Sequence, residues 1–120
     1  MSNRDRSLED RIVEIVRRGG PGGTTHGELL NHLGNEHRGD ESVGNDATNT
    51  VMLCGLSTAV ADAIIQLFAD KRLEAHPCDP MVMLFDGCPI PANMPMAKRP
   101  PAGGYKHPHF LPVVLQIPAN

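Results

Sequence analysis

Aromatic side chains are scarce in this sequence: three Phe, one Tyr and no Trp in 120 residues. Single-stranded nucleic-acid platforms need aromatic faces on which bases stack, so that class is disfavoured. The core must be aliphatic, built from Leu, Ile, Val and Met. A positive surplus is also missing. Fourteen Asp and Glu outweigh eleven Lys and Arg, for a formal net charge of −3 with six His neutral. Phosphate neutralisation supplies most nucleic-acid affinity, so a dedicated binder is normally basic. Cysteine is sparse and odd in number, three in all, with no repeated short spacing. That argues against a disulfide framework and for a reducing, cytosolic setting. The opening MSNRDRSLED has no apolar signal core, and the longest apolar runs are too short to span a bilayer. These absences predict a soluble, cytoplasmic chain with no membrane contact and no cofactor.

What is present begins with helical periodicity. Leu8, Ile12, Val13, Ile15 and Val16 make one apolar stripe, with Ser7 as N-cap and Asp10 as its return partner. Arg17 and Arg18 suit a helix C-terminus, and Gly19–Gly23 with Pro21 stops it, predicting a helix over 7–18. Thr25 followed by Glu28 is a capping box. Leu29, Leu30 and Leu33 follow, and Gly34 stops a short helix over 25–33. Residues 34–50 are polar and rich in Gly and Asn, which reads as an acidic loop over 35–50. Thr50–Cys54 is a candidate short strand or helical turn. Ser57 caps a third helix, whose core face is Val60, Ile64, Leu67 and Phe68, widened by Ala61, Ala63 and Ile65. It ends near Lys71 or Arg72.

Leu73–His76 alternates as a half-buried strand should. Pro77-Cys78-Asp79-Pro80 forces a turn. Met81–Phe85 is apolar throughout, which predicts a strand covered on both faces, and Asp86-Gly87 closes a hairpin. From Cys88 on, prolines break every helical period. Residues 88–120 read as an extended tail with an apolar end, Phe110–Ile117. The tail is expected to pack as an edge segment on the body over 1–87, or on a second copy to make a homodimer. A chain of this length buries roughly two thirds of its unfolded surface, enough for a core without staples.

Helix, short helix, helix and then a strand pair resembles a winged helix-turn-helix domain over about residues 7–87. The residues that carry it are Val60, Ile64, Leu67 and Phe68, running into ADKRLEAH at 69–76. The resemblance implies an α+β fold with three helices and a hairpin. It also implies DNA binding, with the third helix in the major groove and the wing on the backbone. The outward positions of that helix are Ser57, Thr58, Asp62, Gln66 and Asp70, and none is basic. The wing tip, Pro77–Pro80, has no Lys or Arg either. Carboxylates facing phosphate repel. Those five residues are therefore read as a contact for a protein partner. The acids Glu36, Asp40, Glu41 and Asp46 supply a negative surface for a basic partner.

Three further constellations bear on function. Arg17-Arg18, Lys71-Arg72 and Lys98-Arg99 make a basic face for the alternative reading, a small DNA-binding regulator. His76, Cys78, Cys88, His107 and His109 are soft ligands for a second alternative, a zinc protein, though their spacing is not that of a zinc site. Cys78, beside His76 and Asp79, is the one thiol placed for reactivity, while Cys54 reads as core. The glycines at 19–23 lack the Gly-Lys-Ser/Thr ending of a phosphate loop. The expectation is a non-enzymatic binding module, an adaptor or inhibitor, acting through helix 57–72, loop 35–50 and the tail.

Overall fold

The computed structural model describes residues 5–91, 93–97 and 101–119. Helix α1 spans Arg6–Arg18 and buries Leu8, Ile12, Val13 and Val16 as their spacing requires. Its cap is Asp5, not Ser7: the Asp5 carboxylate accepts from the Leu8 amide at 2.9 Å. Helix α2, His26–Leu33, is capped by Thr25, whose hydroxyl accepts from the Glu28 amide at 3.2 Å. Gly34 ends it at φ +106°, a conformation that side chains resist.

Residues 34–50 are not an open loop. After a 3₁₀ turn at Asn35–His37 the chain forms β1, Arg38–Asn45, which returns antiparallel as β2, Thr50–Leu56. The strand was hidden because only Val43 of β1 is buried. Polar residues face solvent on both sides, and repeated register shifts break its alternation. Strand β2 buries Thr50, Leu53, Cys54 and Leu56. Helix α3, Thr58–Ala69, begins at the expected cap, with Ser57 Oγ accepting from the Val60 amide at 3.2 Å. It lies against α1 and the β1–β2 hairpin.

The predicted hairpin over 73–87 is the main correction. Strand β3, Glu74–Pro77, is present, but Met81–Phe85 belongs to a helix, α4, Pro80–Phe85. Asp79 is its N-cap, accepting from the Met81 amide at 2.9 Å, and Pro80 sits in its first turn. An Asp-Pro pair of this kind starts a helix, and here it outweighs the strand character of the apolar run. Strand β3 pairs instead with β5, Val113–Gln116, antiparallel and in register from Glu74↔Gln116 to Pro77↔Val113.

On its other side β5 meets Thr24, which bridges Leu115. The short β4, His109–Phe110, adds to β2 in parallel. Phe110, Val113 and Leu115 are thus buried in the body, and not at a sheet edge as expected, since Leu115 lies between Ala75 and Thr24 and Phe110 between Val51 and Met96. The result is one α+β body whose aliphatic core joins α1, α2, α3, β2 and β5. Its Cα radius of gyration, 13.7 Å, is that of a single compact domain of this length.

Candidate interaction surface

The outward face of α3 is set by its period. Val60, Ala61, Ala63, Ile64 and Leu67 point into the core, so Thr58, Asp62, Ile65 and Ala69 point out and are exposed. Ile65, expected to widen the core face, is 52% exposed. The correction follows from helix geometry: Ile65 lies 100° beyond Ile64, off the buried stripe. Of the other predicted contact residues, Ser57 is half-buried and occupied as the cap. Gln66 donates to the Asp70 carboxylate at 3.1 Å, and Asp70 is exposed. The α3 sequence, TAVADAIIQLFA, contains no cation. Its face sets the exposed Ile65 one turn from the acid Asp62, and Asp70 caps the helix end. Strand β1 packs along α3 and adds the exposed Asp40 and Glu41.

Of the basic dipeptides, Arg17, Arg18 and Arg72 hold ion pairs. Arg17 and Arg18 both grip Glu14, at 2.9 and 3.1 Å. The Arg18 and then the Arg17 hydrogen bond hold that carboxyl below its ordinary range. Arg72 ties the end of α3 to α1 through Asp10 at 3.1 Å. Lys71 is exposed, with φ +59°. Lys98 and Arg99 lie outside the described residues. Arg11 donates to the carbonyls of His32 and Leu33, a favourable end for α2.

The metal-ligand candidates are dispersed. His76 bonds Glu74 at 2.7 Å on β3. Cys88 sits at the start of α2, where its sulfur accepts from the Gly27 amide at 3.3 Å. His109 bonds the His107 carbonyl at 2.8 Å and stacks on Tyr105 with ring centroids 3.6 Å apart. Among the described residues no three His, Cys, Asp or Glu side chains gather as a metal site.

The sequence did not expose a polar knot beneath α4. The Pro89 carbonyl accepts from His26 Nε2 at 2.8 Å and from the Cys54 thiol at 3.0 Å. Thr25 donates to Asp86 at 2.7 Å. The donor role fixes the His26 tautomer, leaving Nδ1 buried without a protein partner among the described residues. Burial pushes the His26 pKa down and the Cys54, Cys78 and Cys88 thiols up. Asp79 and Asp86 push Cys78 further in the same direction, after burial and Cys88. Protonated thiols are poor nucleophiles. The group pins residues 86–89 to α2 and β2. Only the linear separation of these residues kept it out of view: His26, Cys54 and Cys88 are remote along the chain.

Comparison with protein-family models, with curated proteins and with solved structures finds no match to this chain.

Proposed function

We propose that the chain is a non-enzymatic protein-docking module of the winged-helix type, acting as an adaptor or inhibitor on a basic protein surface. The order of elements supports the winged-helix part. Three helices precede a strand pair, and Thr24 between the first two helices joins that pair as an outer rung, in the order Thr24–β5–β3. The β1–β2 hairpin is then an insertion before α3, and residues 78–112 with α4 replace a short wing.

The observation that carries the docking part is the outer face of α3. Exposed Ile65 lies one turn from exposed Asp62, Asp70 caps the helix end, and the helix carries no cation. An exposed apolar side chain on an acidic helix complements a basic partner and repels phosphate. DNA binding is the second reading, favoured by strand order alone. A titration of random duplex DNA at low salt separates the two: binding that weakens steeply with added salt overturns the protein-docking reading.

A further inference from the structure

Helix α4 presents an apolar stripe that the fold does not use. Met83 is fully buried, while Met81, Leu84 and Phe85 on the opposite side are 53, 65 and 83% exposed. They stand at i, i+3 and i+4, the spacing by which one helix packs on another. Phe85 is one of only three Phe in the chain. The stripe is held still at both ends. Asp79 caps α4, and the Cys78 amide donates to the Pro112 carbonyl at 3.0 Å. Beyond it, Asp86 accepts from Thr25, and the Cys88 amide donates to the Met83 carbonyl at 3.0 Å. A large apolar surface on a pre-ordered element marks a binding site.

Charge selects the occupant. From Leu73 to Ala97 the chain carries Glu74, Asp79 and Asp86 and no Lys or Arg. Asp79 and Asp86 flank α4 at its two ends. Two copies meeting through this face would bring like charges together. Anionic lipid would be repelled. We propose that α4 docks a cationic amphipathic helix of another protein, whose apolar side covers Met81, Leu84 and Phe85 and whose Lys or Arg side chains meet Asp79 and Asp86. This contact lies on a different element from the α3 face and stands without it.

The test uses the full chain and a fluorescein-labelled amphipathic Leu/Lys peptide of about five helical turns, followed by anisotropy. The expected result is saturable binding that weakens with salt, falls about tenfold in Phe85→Ser and in Leu84→Ser, and is unchanged in Ile65→Ser. Thermal melts of the variants should match the parent, because both side chains face solvent. Should Phe85→Ser melt early, Leu84→Ser decides. Four results overturn the proposal. They are no binding of the Leu/Lys peptide, equal binding of a Leu/Glu peptide, binding unchanged in both α4 variants, and loss in Ile65→Ser alone. A dimer in sedimentation that Phe85→Ser dissolves would give the stripe to a second copy instead. Retention on phosphatidylglycerol vesicles that Phe85→Ser abolishes would give it to a membrane. Each of these also overturns the proposal.

Discussion

Thr24 and Leu115 bond each other in both directions: the Thr24 amide donates to the Leu115 carbonyl at 2.9 Å, and the Leu115 amide to Thr24 at 2.7 Å. This pair joins the turn after α1 to the last strand, across most of the chain. It makes residues 113–116 part of the core, not a trailing segment.

Leu115, fully buried in the main core cluster, should therefore be expensive to shorten. Leu115→Ala is expected to destabilise the fold by about 2–5 kcal/mol, the usual cost of a buried Leu→Ala cavity. Urea denaturation followed by circular dichroism measures it. A loss below about 1 kcal/mol would mean that β5 is peripheral.

The helical stripes and their caps were legible along the chain because each is local. Ser57 and Thr25 sit three residues before the amides they receive, and Val60, Ile64 and Leu67 repeat at the helical period. Strand β1 was not legible, because a strand wet on both faces has no alternation to read. The pairing of β3 was misplaced for another reason: its partner lies about forty residues on, where no local signal reaches, while the nearer run Met81–Phe85 imitated a strand. Asp79-Pro80 is the sign of this helix in the sequence, and it is ambiguous because a turn and a helix start share those residues.

That sign gives a second prediction. Asp79→Ala should remove the α4 cap at a local cost of about 1 kcal/mol. Amide exchange at Asp86 and Cys88 should speed up while protection in α1 and α3 is unchanged. Uniform acceleration across the protein would contradict a local role for the cap.

His26 makes stability depend on pH. Burial lowers its folded pKa below the ordinary 6.5, so between the two values the unfolded chain binds the extra proton. Stability is fully present above about 6.5 and is lost as pH falls from there toward the folded pKa. His26→Gln, which keeps a donor for the Pro89 carbonyl, should be less stable at pH 8 but show a flatter slope between pH 7 and pH 5. Chemical denaturation at each pH reads the two slopes. Parallel slopes would remove His26 as the cause.

The cysteines should be sluggish. Burial raises all three thiols, and only the thiolate reacts. At neutral pH the folded protein should be labelled by a chromogenic disulfide reagent more slowly than free cysteine, and it should reach the free rate in denaturant. Cys54, buried and donating to the Pro89 carbonyl, should be slowest. Prompt labelling of Cys78 in the native state would restore it as a reactive thiol.

The central claim is that α3 meets protein and not phosphate, and its surface charge is the point of attack. Anisotropy of a labelled random duplex, titrated at low salt with the parent chain and with Asp62→Lys/Asp70→Lys, tests it. The expected result is negligible binding by the parent and salt-sensitive binding gained by the double variant, because its two new cations create phosphate contacts on α3. Tight, steeply salt-dependent binding by the parent chain would contradict the account.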